Sequence, residues 1–285
     1  MTKGYIFWVI LILTMMTHSS FANETNEKEE QVLTFGCLPY ITATALMEKY
    51  TPLADYLSQK LAIPVKLSVA KDYKEHIRRA GENELDITFI GGLPYVEMVE
   101  KYGRKRLFAR YEMQNKPFFQ SIIVVPKNSP IQSLKDLKGK RFAFGNKNST
   151  LSTLVPRYML QQEGIKLNDL MNYDHVGTHE DVILGVLLGS CDAGAVAQEV
   201  FNEHKSKYPI RQLIASPPVS THLLVASDQL SDELFDKIQM ALYNLKDDPN
   251  AKEILSIINK DMTGFVPVKD SDYDLLRNIV KSLDK

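Results

Sequence analysis

The stretch Arg141-Phe142-Ala143-Phe144-Gly145-Asn146-Lys147-Asn148-Ser149-Thr150-Leu151-Ser152-Thr153-Leu154 passes from one periodicity to another. Arg141–Phe144 is a short apolar run of β type, and Gly145 ends it. A helical pattern then opens at Ser149, runs to Glu163 and stops at Gly164. A strand feeding a helix through a short polar loop is the first half of a βαβ unit. The loop sets Ser149 and Thr150 where the first helical N–H groups lack intrahelical partners and the helix dipole is positive. Such a start holds an anion without needing a lysine. The same residues also make an ordinary N-cap, and spacing alone favours neither role.

The same alternation continues on both sides. Toward the N-terminus, Val32–Cys37, Val65–Ala70 and Leu85–Ile90 read as strands, with helical patterns between them. Leu53, Leu57 and Leu61 recur every four residues on one helix face, and Lys74–Ala80 is a second, more polar helix. Toward the C-terminus the pattern restarts. Ser121–Val125, Ala193–Val196 and Arg211–Ala215 are strand-like, and His179–Leu188 is helical. After the breaker Ser216-Pro217-Pro218 comes a strand at Leu223–Ala226. Helices follow, with Leu234, Ile238, Ala241 and Leu245 on one face and then Leu275, Ile279 and Val280.

Repeated β-α-β order predicts an α/β fold of mostly parallel sheets flanked by helices. A chain that leaves one unit, builds another and returns makes two lobes joined by two hinge crossings. The crossings are expected near Phe119–Ser121 and Pro218–His222. Residues 31–118 plus 223–285 then form lobe 1, and 119–222 form lobe 2.

Residues 1–22 have the make-up of a secretory signal. Lys3 supplies a positive start, Tyr5–Met16 is an apolar run broken only by Thr14, and Ser20-Phe21-Ala22 offers a small-residue cleavage site. The apolar run is too short to span a bilayer, which takes about 20 residues. Residues 23–30, rich in Glu, read as a flexible leader, and the expected location is the periplasm. Loss of Lys3 moves the formal charge from −1 to −2, so no global basic field attracts nucleic acid. An anion must be captured by a local device. Cys37 and Cys191 read as isolated packing thiols rather than a disulfide. Cys37 lies three residues before Tyr40, which leaves capture of a soft ligand as an alternative use.

Enzyme signatures are missing. His179-Glu180-Asp181-Val182-Ile183 opens like a zinc-protease helix but lacks the second histidine. There is no Gly-x-Ser-x-Gly elbow, Walker A loop or Cys-x-x-Cys pair. No catalytic residue, metal site or cofactor is expected.

Leu134-Lys135-Asp136-Leu137-Lys138-Gly139-Lys140-Arg141-Phe142-Ala143-Phe144-Gly145, then Ser149-Thr150 and Leu154-Val155-Pro156, resemble the phosphonate-binding protein family of ABC transporters. The likeness includes Phe35-Gly36 through Tyr40, Asp72-Tyr73, and Asp86-Ile87 through Tyr95. It continues through Gly177-Thr178-His179, Asp192-Ala193-Gly194-Ala195-Val196 and Ser216-Pro217-Pro218. The resemblance implies a two-lobed periplasmic binding protein of type II that clamps a phosphonate-, phosphite- or phosphate-like oxyanion between its lobes. It implies that Ser149 and Thr150 bind the anion's oxygens, that His179 donates a further hydrogen bond, and that Tyr73 reaches across from lobe 1. Phe119 stands where a second tyrosine often sits, and Glu199 matches the acid that pairs with a ligand ammonium. Tyr40, Tyr95 and His222 are further candidates for the cleft. Three positions depart from the pattern: Leu151 replaces a hydroxyl, Phe119 lacks one, and His222 stands where a second acid is common.

The implied partners are the small oxyanion and an inner-membrane ABC permease, with the protein itself a monomer. The alternative is a receptor reporting ligand to a membrane histidine kinase. A periplasmic enzyme is the reading from another class.

Overall fold

In the computed structural model, which describes Met1 and residues 31–283, the chain runs twice through a strand–helix alternation. The expected signal and leader lie outside the described residues. Along the chain, β1 (Leu33–Cys37), α1 (Ala43–Leu61), β2 (Val65–Val69), α2 (Tyr73–Gly81), β3 (Ile87–Ile90) and α3 (Gly92–Tyr102) lead to β4 (Leu107–Met113). The short β5 (Phe118–Phe119) then enters β6 (Ser121–Pro126) and β7 (Arg141–Phe144), followed by a π-helical turn at Thr150–Leu154 continuous with α4 (Val155–Gln162). Next come β8 (Asn172–His175), α5 (His179–Leu187), β9 (Ala193–Ala197), α6 (Gln198–His204) and β10 (Ile210–Ala215). The chain closes with β11 (Val219–Ser220), β12 (Leu223–Ala226), α7 (Asp232–Asn244), α8 (Ala251–Ile258), β13 (Met262–Val266) and α9 (Asp274–Leu283).

Two main sheets result. One has six strands in the order β13-β4-β12-β3-β1-β2, and the other has five in the order β10-β6-β9-β7-β8. In the first, β1 pairs in parallel with β2 and β3, while β12 lies antiparallel between β3 and β4. In the second, β7 pairs in parallel with β8 and β9, while β6 lies antiparallel between β9 and β10. With β13 antiparallel to β4 as well, the pairings are mixed, although most strands of each sheet run in one direction. The strands that run the other way include the first to enter each main sheet after the chain has come from the other one. No βαβ crossover forces those strands into line. The segments making the passage pair with each other, Val219 with Phe119 and Ser220 with Phe118, as a two-stranded ribbon.

Helix signals behave as their chemistry predicts. Leu53 and Leu57 on α1 are wholly buried. Thr42 caps α1 by accepting from the Ala45 N–H at 3.3 Å, and Asp72 caps α2 through the Glu75 N–H at 2.8 Å. Gly164 ends the α4 region with φ of 68°, a conformation that costs Gly little. The C-terminal α9 packs on both α3 and α4, and Gln161 Nε2 donates to the Ser282 carbonyl at 2.8 Å. The last helix therefore ties the six-stranded half to the five-stranded half. Among the described residues, no helix is long and apolar enough to cross a membrane.

Candidate functional site

Parallel strands end at the same edge of each sheet, and the chain leaves β1, β2 and β3 of one sheet, and β7, β8 and β9 of the other, directly toward a shared cavity. Ligands in open α/β sheets bind at such carboxyl ends. The cavity has a volume of about 120 Å³. The six-stranded side supplies Tyr40 after β1, Tyr73 at the start of α2, Gly91 after β3, and His222 before β12. The five-stranded side supplies Ser149 and Thr150 after β7, His179 after β8, and Glu199 after β9.

The start at Ser149–Thr150 is more specialised than a plain N-cap. Leu154 N–H donates to the Ser149 carbonyl, and the Val155 N–H to that of Thr150, each reaching back five residues. Pro156 has no N–H to offer the carbonyls of the preceding turn, which favours this wider winding. The freed carbonyls find partners elsewhere. The Leu151 carbonyl accepts from Ser121 Oγ at 2.6 Å, and that of Ser152 accepts from the Gly145 N–H at 3.1 Å. Gly145 must be glycine here, because a Cβ would sit 2.2 Å from Ser152 Oγ.

Each hydroxyl of the pair has one acceptor role already assigned. Ser149 Oγ accepts from the Ser152 N–H at 3.2 Å. Thr150 Oγ1 accepts from the Leu93 N–H at 2.9 Å, a buried bond from α3 on the other half. Both hydroxyl hydrogens stay available for a ligand. Beside them the first N–H groups of the π turn, on Thr150 and Leu151, have no carbonyl one turn behind.

His179 is committed to one tautomer. Its Nδ1 accepts from the Ala197 N–H at 3.1 Å, so the ring proton is on Nε2. Enclosure by protein lowers its pKa to about 4, and the ring is neutral at pH 7. It offers a fixed donor without adding a charge. His222 is likewise lowered to about 4, first by burial and then by His179 and Lys49. Its ring lies 5.0 Å from Phe119, 5.3 Å from Phe89 and 6.3 Å from Tyr40, an aromatic cluster on the wall opposite Ser149. Burial raises the Tyr40 and Tyr73 phenols, so both remain protonated donors. Burial also pushes Glu199 up to about 7, and Lys49 works against that rise.

Of the nine residues singled out, Ser149, Thr150, His179, Tyr73, Phe119, Glu199, Tyr40 and His222 line this one cavity. Tyr95 does not. It is fully buried, its ring packs 4.9 Å from Tyr273, and its hydroxyl donates to Asp270 at 2.7 Å. Tyr95 lies four residues into a helix that starts at the cavity, on the face that packs against the C-terminal elements. Cys37 and Cys191 are free and buried. The Cys37 thiol is pushed up to about 12 by burial and is absent from the cavity lining, which removes soft-ligand capture. The sequence reading missed Lys49 and Tyr111, which also line the cavity. Lys49 could have been found only from the register of α1, since it sits beside the buried Tyr50.

The model of the family described as "ABC transporter, phosphonate, periplasmic substrate-binding protein" matches residues 35–273. The chain belongs to that family. It is 27% identical to the phosphonates-binding periplasmic protein of Escherichia coli (strain K12), over 88% of this chain and 75% of the relative. It is 24% identical to the phosphate-import protein PhnD of Mycolicibacterium smegmatis, over 90% of this chain and 87% of the relative. The structure of PhnD1 from Prochlorococcus marinus (MIT 9301) in complex with methylphosphonate is similar, with a TM-score of 0.81 and 25% identity. That match covers 90% of this chain and 99% of the other. This phosphonate-binding family member is therefore the substrate-binding component of an ABC transporter, with a type II periplasmic binding fold.

Proposed function

We propose that the protein captures a phosphonate-, phosphite- or phosphate-like oxyanion in the periplasm and delivers it to an inner-membrane ABC permease. The observation that carries this reading is the convergence of three kinds of donor on one cavity. These are the Ser149–Thr150 helix start, the two hydroxyls, and the fixed Nε2–H of His179. Together they hold negative charge in a chain whose net charge is only −1. Tyr73 and Tyr40 complete the coordination from the opposite wall, and Glu199 takes an ammonium where the ligand has one.

Residues 31–118 plus 223–285 and residues 119–222 act as the two moving lobes, with the Phe118–Phe119 and Val219–Ser220 ribbon as the hinge. A ligand held by both walls binds the closed arrangement better than the open one, and that difference drives closure. Residues 1–22 serve as the export signal and are removed, and the mature protein works as a monomer.

Thermal unfolding of the mature protein with phosphate, phosphite, methylphosphonate and 2-aminoethylphosphonate tests the proposal. Ligand at about 100 times its Kd adds about 2.7 kcal/mol, which raises the melting temperature by several degrees. The reading fails if none of the four stabilises the protein while sulfate or a carboxylate does.

A further inference from the structure

Among the described residues, Lys49 is the one lysine or arginine lining the cavity, and the oxyanion reading does not use it. It projects from α1 into the space where Glu199 enters from α6, on the other half of the molecule. Among the described residues, no carboxylate pairs with Lys49 within 4.0 Å. Glu203, the other acid of α6 in the cavity, is occupied by Lys260 at 3.6 Å. Lys49 and Glu199 nonetheless feel each other, since the lysine's charge opposes the rise of the carboxyl. A cation and an acid thus face one cavity from opposite walls without touching.

Two such groups are each left short of a partner by a ligand that carries only an oxyanion. The space beside them is not filled by a small anion either. Glu199, Phe119 and Met113 also line an adjoining cavity of about 260 Å³, whose wall carries Gln114, Gln198 and Asn202 together with Lys116 and Asp261. A ligand's organic tail would meet Lys49 and Glu199 first and a mixed wall of amides and charges beyond them.

We propose that Lys49 is a specificity-determining residue that pairs with a carboxylate on the ligand's tail, so that the cavity suits a phosphonate bearing both an amino group and a carboxylate. This rests on the oxyanion reading above and extends it to the class of ligand. The ammonium meets Glu199, the carboxylate meets Lys49, and the phosphonate takes the Ser149–Thr150 start. Lys49 and Glu199 then each have a partner, which matters because a charge left unpaired away from water is costly.

Calorimetric titration of wild type and Lys49→Gln with methylphosphonate, 2-aminoethylphosphonate and 2-amino-3-phosphonopropionate decides the matter. Wild type is expected to prefer the carboxylate-bearing ligand over 2-aminoethylphosphonate by tenfold or more. Lys49→Gln is expected to erase that preference, losing at least tenfold more affinity for the carboxylate-bearing ligand than for methylphosphonate. Equal losses for all three ligands would place Lys49 on the phosphonate itself and overturn the proposal. Absence of the preference in wild type overturns it without any variant. Failure of wild type to bind any of the three is a separate outcome, which sinks the oxyanion reading along with this one.

Discussion

The two walls of the cavity are built on opposite principles. The five-stranded wall presents polar groups at the starts of chain segments: a π-helical turn at Thr150, the Nε2–H of His179 opening α5, and Glu199 in the first turn of α6. The six-stranded wall presents rings, with His222 among Tyr40, Phe89, Tyr111 and Phe119. Backbone donors at a helix start are fixed by the fold and pay little to reorganise around a charge. Rings give shape and exclude water but lend few hydrogen bonds. On the proposed reading, the contrast gives the anion's binding energy to one wall and its enclosure to the other.

The largest effect is therefore expected from Ser149→Ala combined with Thr150→Ala. Two hydrogen bonds to a charged ligand, at about 1.5–3 kcal/mol each, predict a loss of affinity of 100-fold or more by calorimetry. The pair also carries a structural cost that the two walls share. Thr150 Oγ1 is the acceptor for the buried Leu93 N–H, so its removal should lower unfolding stability by about 1–3 kcal/mol. Thr150→Ser keeps the hydroxyl and should restore stability in denaturant titrations. A double variant that binds phosphonate normally would erase the assigned difference between the walls.

His179→Ala removes one neutral donor and is expected to cost about tenfold in affinity, within the range of a single hydrogen bond to a charged partner. On the ring wall, Tyr73→Phe should cost less, roughly threefold to fivefold, because the phenol is one donor on a surface that mainly encloses. Phe119→Tyr sharpens the comparison from the other side. It adds a hydroxyl to the ring wall, and a gain in oxyanion affinity would show that this wall can be made to coordinate. If Tyr73→Phe proves costlier than His179→Ala, the division of labour is reversed.

The polar wall was legible in the sequence and the ring wall only partly so. A strand ending at Phe144, a glycine and a Ser-Thr helix start are local signals, each set within a dozen residues. The π winding was not foreseen, although Pro156, which favours it, is plain in the chain. The ring wall gathers Tyr40, Phe89, Tyr111, Phe119 and His222 from segments up to 182 residues apart. No periodicity reports such a meeting. Tyr95 was misplaced for a related reason, since its neighbour Gly91 does reach the cavity but the helix turns the tyrosine toward Tyr273. Strand β8 escaped notice because Asn172-Tyr173-Asp174-His175 sits at the sheet edge, mostly exposed, and carries no apolar pattern.

The smallest predicted effect isolates Glu199, the acid in the first turn of α6 on the polar wall. Glu199 has a pKa raised to about 7 from its usual value near 4.5, with burial as the first cause. The folded protein therefore binds this proton more tightly than the unfolded chain does, and folding gains from it below pH 4.5. That gain disappears as pH rises through 7. His179 and His222, lowered to about 4, act with the other sign: their contribution is lost as pH falls from about 6.5 toward 4. The histidines are common to wild type and Glu199→Gln, so they cancel in the difference between the two. Without ligand, the variant's melting temperature should overtake that of wild type as pH rises from 5 to 8, by roughly a few degrees, and the gap should then hold steady. Saturating 2-aminoethylphosphonate should close the gap at pH 8, because the ligand's ammonium gives wild-type Glu199 a partner and gives the glutamine none. A difference that ignores pH would mean that Glu199 is solvated like any surface acid. The polar wall would then hold its anion with donors alone.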